Sequence, residues 1–269
     1  MAARLLRRRR ATTACRRCRA AAAAAGAGPR SVVVVGADGA AGRAVAEAVA
    51  AAGLLAAATC GSGAGVKALQ AAGAAEVLVG DPTEAAFVAG ALGAVAPAAV
   101  VSCVGGDAGA VGAAGRTPDA DFAGNKAVIA AAKARGVGHF VLVSAIGAGP
   151  SLCALPGPAK DVMKPLMDEK HKAELVLMDS GLPYTILRSG PVNAGFAGVG
   201  DPLVTEDRQA YGEISGAGLG ALVVRCLQSE AAKGRVLSAL DGNHVYQTNP
   251  FLRPLESFEP KPFEVVTLP

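Results

Sequence analysis

The chain has 269 residues, of which 52% are hydrophobic and 18% are charged, and its formal net charge is +4. This length accommodates one large α/β core without requiring a second domain. No uninterrupted apolar run reaches the ~20 residues that a membrane-spanning helix needs, so we do not expect an integral membrane protein.

The first 30 residues differ in composition from the rest of the chain. They contain nine arginines, many alanines and no acidic residue; the first carboxylate is that of Asp38. This composition is typical of a removable organelle transit peptide. Its removal leaves 17 basic against 22 acidic residues, a net charge of −5. Clustered arginines could also bind nucleic-acid phosphates, but no basic face continues downstream, and we expect no nucleic-acid partner.

The six cysteines and three histidines show no metal-ligand or catalytic spacing in the mature region. The sequence therefore predicts neither a disulfide framework nor a metal site. Cys15 and Cys18 form a CxxC, but they lie within the predicted transit peptide. We expect ordinary surface roles for His139, at the start of a predicted strand, and for His171, on a charged helix.

From residue 31 onwards, short apolar runs alternate with helical stretches. The runs that indicate strands lie at 31–35, 54–59, 76–79, 98–104 and 139–144. The intervening helices are predicted near 40–52, 65–73, 83–91 and 119–135. Continuous Val-rich strands separated by Ala-rich helices indicate a parallel sheet covered on both faces. The sequence thus predicts an α/β fold with a doubly wound parallel sheet.

The second half of the chain contains one further βα unit and then becomes less regular. A charged helix is predicted at 161–180 and a strand at 184–188. A helix at 215–229 and a strand at 235–240 follow. We place the end of the domain shortly after them, so that the domain spans 31–248. The tail, 249–269, carries five prolines and is predicted to be extended. It could strap its own domain or dock to an organellar protein complex.

A glycine-rich turn joins the first predicted strand to the first helix. Gly36 permits the tight turn, Gly39 lets a pyrophosphate approach the backbone, and Gly42 allows close packing of helix and strand. Ala40 and Ala41 lie between them at the start of the helix, where free amides and the helix dipole attract phosphates. This context predicts a dinucleotide-binding turn.

The spacing GxxGxxG resembles that of the NmrA-like group of atypical short-chain dehydrogenase/reductases. Further matching segments, in the family's order, are GDPTEAAFVAGAL, VVSCVGG, DFAGNKAVIAAAKARGVGHFVLVSAIGAG and KHKAELVLMDSGLPYTILRSG. Together they span about 31–240. The resemblance implies one Rossmann-like domain that binds NAD(P)(H), as in the plastid-type members of this group.

The resemblance also assigns roles to individual residues. Asp81 would hold the adenine amino group; its carboxylate could also cap the following helix, and the two roles are compatible. The remaining residues that it implies at the cofactor, from the ribose to the nicotinamide pocket, are Val104, Gly105, Gly106, Ser144, Lys170, Gly190, Pro191 and Val192. Asp121, Gly124 and Asn125 match the family's DxxGN segment.

Two departures concern the choice of nucleotide. Asp38 stands where the family usually has Thr or Ser, and a carboxylate near a diphosphate is repulsive unless it caps the helix or faces solvent. The end of the second strand offers neither the acid that selects the ribose of NAD nor the arginine that selects a 2′-phosphate. Ser62 and Lys67 could serve a phosphate, so the sequence favours NADP(H) slightly over NAD(H).

The largest departure concerns catalysis. The family commonly uses YxxxK, in which the lysine activates a tyrosine that protonates the substrate. The three tyrosines are followed four residues later by Arg188, Ser215 and Pro250. Aligning Lys170 with the family lysine puts Leu166 at the tyrosine position, and aligning Lys172 puts Asp168 there. We therefore assign no catalytic residue.

Two functions remain open from the sequence. Loss of the tyrosine favours a nucleotide-loaded scaffold, redox sensor or assembly factor in an organelle. The alternative is a reductase that passes hydride to a flavin-like or quinone-like acceptor, with the proton coming from elsewhere. Arg and Ala enrichment suits both plastid and mitochondrial import. The resemblance favours the chloroplast.

Overall fold

The computed structural model describes residues 31–105 and 118–246. Ten strands are assigned within these ranges: β1 (Val32–Val35), β2 (Leu55–Cys60), β3 (Glu76–Val79), β4 (Ala99–Ser102), β5 (His139–Ala145), β6 (Tyr184–Ser189), β7 (Pro202–Thr205), β8 (Tyr211–Gly212), β9 (Arg235–Asp241) and β10 (Val245–Tyr246). The six α-helices of the same ranges are α1 (Ala40–Ala51), α2 (Val66–Ala71), α3 (Ala85–Val95), α4 (Pro118–Ala134), α5 (Gly157–Met178) and α6 (Gly216–Gln228). The predicted transit peptide, Gly106 and the tail lie outside the described residues.

One eight-stranded sheet runs through the described parts of the chain in the order β3-β2-β1-β4-β5-β6-β9-β7. Every neighbouring pair is parallel except β7 with β9, which is antiparallel. β8 and β10 form a separate antiparallel pair. The predicted doubly wound parallel sheet is therefore confirmed.

Helices cover both faces of the sheet because alternate side chains of each strand point to opposite sides. Val32 and Val34 of β1 pack into a core with residues of α1, α2 and α6. Val33 and Val35 pack into a second core with residues of α3, α4 and α5. Both faces of β1 are thus buried, as its unbroken run of valines predicts.

The segment after Pro191 contains more β-structure than its sequence indicates. β7 joins the edge of the main sheet, and β8 pairs with β10. Four- and two-residue strands are too short to show a periodicity of two, and Pro202 at the first position of an edge strand is a weak signal. No helix in the described residues is long and apolar enough to cross a membrane.

His139 is buried rather than exposed, which corrects its expected surface role. Its Nε2 lies 2.9 Å from the Thr185 hydroxyl oxygen, at the amino end of the sheet. Burial, reinforced by the charge of Lys233, lowers the pKa of the imidazole to about 4. Sequence periodicity missed this because the ring stands at the first position of β5, where buried and exposed residues are hard to distinguish.

Two glycines of α6 allow close contact with α1. A Cβ on Gly220 would lie 2.6 Å from the Ala48 Cβ and 2.8 Å from the Ala44 carbonyl oxygen. A Cβ on Gly216 would lie 2.9 Å from the Ala44 Cβ. The two helices therefore pack with almost no side chain between them at these positions.

We expect Gly220→Ala to lower the free energy of unfolding by about 1–3 kcal/mol, because the added methyl group must separate α1 from α6. Gly90→Ala is the matched control, since a Cβ at Gly90 in α3 meets nothing within 4 Å. There the same substitution should raise stability by about 0.5–1 kcal/mol through helix propensity. Chemical denaturation of both variants measures the difference; a shift of the same sign in both would contradict the packing argument.

His139 should make stability depend on pH. The native pKa of about 4 is below the ordinary value of 6.5, so the unfolded state binds the extra proton between these values. The contribution of neutral His139 to the free energy of unfolding is complete above pH 6.5, and it declines by about 3 kcal/mol in total as the pH falls towards 4. The free energy of unfolding, measured by denaturation at several pH values in this range, should change more steeply with pH in the wild type than in His139→Gln. Equal slopes would contradict the assignment.

Candidate functional site

The site is built where the strand order reverses. β2 and β4 flank β1 on opposite sides, so the connections that follow β1 and β4 leave the sheet in opposite directions and open a groove at their carboxyl ends. We call this groove the crevice; its walls are residues 36–42 and residues 103–105. A ligand of a doubly wound sheet binds at this position.

The glycine turn between β1 and α1 has the geometry that its spacing predicts. Gly36 has a φ of +81°, and a Cβ there would lie 3.0 Å from the carbonyl group of Cys103. A Cβ on Gly42 would lie 2.1 Å from the Gly36 carbonyl oxygen, so α1 can start against the turn only with glycine at this position. Two of the three glycines are thus required by close packing.

Gly39 has a different environment, because a Cβ at this position would meet nothing within 4 Å. It is the N-cap of α1, and no side chain hydrogen-bonds to the cap. Gly39 and Ala40 are exposed. The first amides of a twelve-residue helix therefore face an open space that can accept a phosphate.

Asp38 neither caps α1 nor extends freely into solvent. Its Oδ2 accepts a hydrogen bond of 2.8 Å from the backbone N–H of Gly61, the first residue after β2. Burial, together with the negative charge of Asp38, raises the pKa of the adjacent Cys60 thiol. The carboxylate thus bridges the glycine turn and the end of β2.

The end of β4 is held by a buried amide. Asn125 of α4 donates to the Val104 carbonyl oxygen at 3.0 Å and to the Asp121 carbonyl oxygen at 2.8 Å, and its own oxygen accepts from the Ser102 hydroxyl at 2.7 Å. A Cβ on Gly124 would lie 2.7 Å from the Val104 side chain. The DxxGN segment therefore fixes the backbone path that leaves β4.

Lys170 reaches the same wall from α5. Its Nζ lies 3.1 Å from Asp121 Oδ2, and 11% of the lysine side chain is exposed. Gly105 has a φ of +154°, and a Cβ there would lie 2.6 Å from this Nζ. Lys170 is therefore a partly buried crevice residue and not a solvated helix lysine. Burial raises the pKa of the neighbouring Cys103 thiol to about 12, although the charge of Lys170 opposes this.

The two candidate positions for the missing tyrosine hold no proton donor. Leu166 is 4% exposed and packs with Leu155 and Met167 in an apolar cluster. Asp168 is half exposed, and its carboxylate pairs with Lys164 at 2.6 Å. At the position where the family tyrosine would stand on α5, the structure therefore has a buried aliphatic side chain and no phenol.

Ser144 takes part in a buried network beneath α5. Its hydroxyl donates to Glu174 Oε1 at 2.7 Å. Arg188 of β6 donates to both oxygens of the same carboxylate, from Nε at 3.0 Å and from Nη2 at 2.7 Å. His171 Nδ1 lies 3.1 Å from Glu174 Oε2. Glu174 and Arg188 were missed by the sequence analysis; a carboxylate four residues after Lys170 was the available signal.

The end of β6 contacts β8, one strand of the separate antiparallel pair. A Cβ on Gly190 would lie 2.1 Å from the Gly212 carbonyl oxygen, so β8 crosses directly over this residue. Pro191 is exposed, and Val192 forms a bridge with Ile214. Tyr211, next to Gly212, packs against the apolar cluster that contains Leu166. Burial, with the charge of Glu213, raises the pKa of this phenol.

The remaining predicted cofactor residues, Asp81, Ser62 and Lys67, follow strands β3 and β2. Asp81 Oδ1 accepts 2.8 Å hydrogen bonds from the backbone N–H and the hydroxyl of Thr83, so it forms a turn before α3. Ser62 and Lys67 are exposed after β2. Tyr184 is the first residue of β6. It therefore lies at the amino end of this parallel strand, whereas the crevice lies at the carboxyl ends of β1 and β4.

The opening beside Gly39 generates a test. Gly39→Val should abolish dinucleotide binding, because its side chain enters the space that a pyrophosphate needs. Unfolding free energy should fall by no more than about 1 kcal/mol, since valine is a poorer N-cap than glycine but meets no neighbour. Fluorescence titration and denaturation measure the two effects, with Gly90→Ala as the binding control. Wild-type affinity in the valine variant would contradict the role of the turn.

Comparison with curated proteins finds plant relatives over part of the chain. An uncharacterized chloroplastic protein of Arabidopsis thaliana is 34% identical over 122 residues, which are 44% of this chain and 36% of that protein. Sanguinarine reductase of Eschscholzia californica is 34% identical over 125 residues, 43% of this chain and 42% of the enzyme. Protein TIC 62, a chloroplastic protein of Pisum sativum, is 33% identical over 35% of this chain and 18% of that protein. The matches thus span less than half of each relative.

Solved structures match most of the chain. ChuY, an anaerobillin reductase from Escherichia coli O157:H7, superposes with a TM-score of 0.67 and 26% identity, covering 83% of this chain and 99% of ChuY. An NADPH complex of the E. coli quinone oxidoreductase QOR2 has a TM-score of 0.55 and 22% identity, over 80% of this chain and 71% of QOR2. The second likeness shows the fold alone.

A family model described as NAD(P)H-binding matches residues 36–230. This range runs from the first glycine of the turn to two residues beyond the end of α6, so it contains both walls of the crevice. The chain therefore belongs to the NAD(P)H-binding family of NmrA-like, atypical short-chain dehydrogenase/reductases.

Proposed function

We propose that this chain is a nucleotide-loaded binding protein of a plastid, which acts as a scaffold, redox sensor or assembly factor. The observation that carries the proposal is the burial of Leu166, 4% exposed, where the family commonly holds its tyrosine. An aliphatic side chain packed against Leu155 and Met167 cannot deliver a proton to a substrate. The glycine turn that would bind the nucleotide is present, whereas the family's acid is missing from α5.

Ser144 strengthens this argument, because its hydroxyl is already engaged. It donates to Glu174, a carboxylate with no exposed surface that is also held by Arg188. Breaking a buried hydrogen bond to a charged group costs about 1.5–3 kcal/mol, which disfavours turning the hydroxyl towards a substrate. The following residue is Ala145, at a position where the resemblance implies a second serine, so β5 has no hydroxyl besides that of Ser144 after its apolar stretch.

A sensor of this kind would respond through its nucleotide and not through Cys60, Cys103 or Cys226. Cys153 is an exposed thiol and is not one of these three. Burial raises the pKa of Cys60, and it raises those of Cys103 and Cys226 to about 12. Thiols that remain protonated near neutral pH are poor nucleophiles and are slow to oxidise. The fraction of bound nucleotide that is reduced is therefore the signal that this site is suited to report.

The second candidate is a reductase that passes hydride to a flavin-like or quinone-like acceptor. The observation in its favour is Lys170, which is kept at the crevice by Asp121 although there is no tyrosine to activate. Lys170 would position the nicotinamide-side ribose. The bound nucleotide would supply the hydride, and the balancing proton would come from water. The reductases among the relatives are consistent with this alternative.

Three finer points belong to the same proposal. Chloroplastic relatives support a plastid location, with import directed by residues 1–30; a mitochondrial location is the alternative. Ser62 and Lys67, taken by themselves, would favour NADP(H) through a 2′-phosphate. The tail, 249–269, would dock to an organellar protein complex, and residues 31–248 would form the binding domain.

Titration and turnover on the full chain separate the two functions. The binding protein should bind NADH or NADPH with micromolar affinity, yet should not oxidise either above the protein-free rate with flavin or quinone acceptors. Turnover that falls at least about tenfold in Lys170→Ala, equivalent to 1.4 kcal/mol of transition-state stabilisation, would instead establish the reductase.

Tyrosine variants test whether a phenol contributes to any observed turnover. Tyr211→Phe removes the hydroxyl of the tyrosine that packs against the apolar cluster. Tyr184→Phe is the matched control, because Tyr184 lies at the amino end of β6, away from the crevice. Neither change should alter turnover. A large loss in Tyr211→Phe alone, at unchanged nucleotide affinity, would show that an acid has moved from α5 to β8 and would contradict both versions of the proposal.

A further inference from the structure

The hydrogen bond between Asp38 and Gly61 joins the phosphate-binding turn to the end of β2. We propose that Asp38 determines nucleotide specificity, so that the site binds NAD(H) in preference to NADP(H). This inference depends on the proposed nucleotide-binding function of the crevice. It reverses the slight preference for NADP(H) that Ser62 and Lys67 suggest on their own.

The end of β2 is where a doubly wound fold recognises the adenosine ribose. An acidic side chain there accepts a hydrogen bond from the 2′-hydroxyl of NAD, whereas an arginine there binds the 2′-phosphate of NADP. β2 ends in Thr59 and Cys60 and supplies neither group. Asp38 places a carboxylate at this position from the neighbouring turn, as its 2.8 Å hydrogen bond to the first residue after β2 shows.

The bond also removes a donor that a phosphate would need. The Gly61 N–H is already satisfied by Asp38 Oδ2. To bind the Gly61 N–H, a 2′-phosphate would have to displace this carboxylate. The phosphate and the displaced carboxylate would still lie close together, and their like charges repel each other. A ribose hydroxyl can instead donate to the carboxylate, since each carboxylate oxygen accepts more than one hydrogen bond.

Nearby groups do not neutralise Asp38. In the described parts of the chain, its carboxylate forms no ion pair with a lysine or arginine. The pKa of the Cys60 thiol is raised by burial and then by the charge of Asp38. The negative field of Asp38 therefore extends to the end of β2, while Lys67 is exposed at the start of α2.

Paired titrations of the full chain test the proposal. Wild-type protein should bind NADH at least about tenfold more tightly than NADPH, a difference of 1.4 kcal/mol. Asp38→Ser should bring the two dissociation constants within about threefold of each other. Asp38→Asn keeps the shape and an acceptor oxygen for Gly61 but removes the charge, so it should lose the preference as well. Glu47→Gln makes the same change of charge on the exposed face of α1 and should keep the wild-type ratio.

The outcomes distinguish this inference from the function on which it rests. Binding of neither nucleotide to wild-type protein would overturn both. Equal or tighter binding of NADPH by the wild type, or an unchanged ratio in Asp38→Ser, would overturn only the role of Asp38. Raising the ionic strength should shrink the wild-type ratio but not that of Asp38→Asn, because screening weakens a charge repulsion and leaves steric effects unchanged.

Discussion

The architecture of the crevice depends on the absence of side chains where β1, α1 and β4 meet. Gly42 lets α1 begin against the carbonyl of Gly36, and Gly36 lies against the backbone that leaves β4. Each added Cβ would overlap backbone atoms, which cannot rotate away as a side chain can. This contact between β1, α1 and β4 places the amino end of α1 at the carboxyl end of β1, where its free amides face the space beside Gly39.

A second constraint acts beneath α5. Glu174 has no exposed surface, and its two oxygens are held by Arg188 from β6 and by Ser144 from β5. Removing one partner of such a buried pair typically costs about 3–5 kcal/mol, because the other charge is left without compensation. One helical turn earlier, Lys170 points at Asp121. The buried pair therefore fixes the rotation of α5 that directs Lys170 into the crevice.

The sequence predicted the main sheet and the glycine turn because each is a local pattern. Unbroken valines identify β1 as buried on both faces, and glycine spacing identifies the turn. What the sequence did not reveal depends on partners far along the chain: Arg188 is 14 residues from Glu174, and Gly61 is 23 residues from Asp38. The antiparallel strand β7 and the burial of His139 were missed because four residues, or a single strand-initial ring, carry no periodic signal.

The position of Asp38 has a consequence for how this domain can change. In folds that recognise the ribose from the end of β2, anchoring of the diphosphate and choice of coenzyme are encoded about 20 residues apart. Here, on the assignment made above, both properties are encoded within residues 36–42. Exchanging this heptapeptide with that of another member of the family would transfer the coenzyme choice without altering β2. Coenzyme preference is thus a portable trait of one short loop, separable from whatever the remainder of the domain recognises.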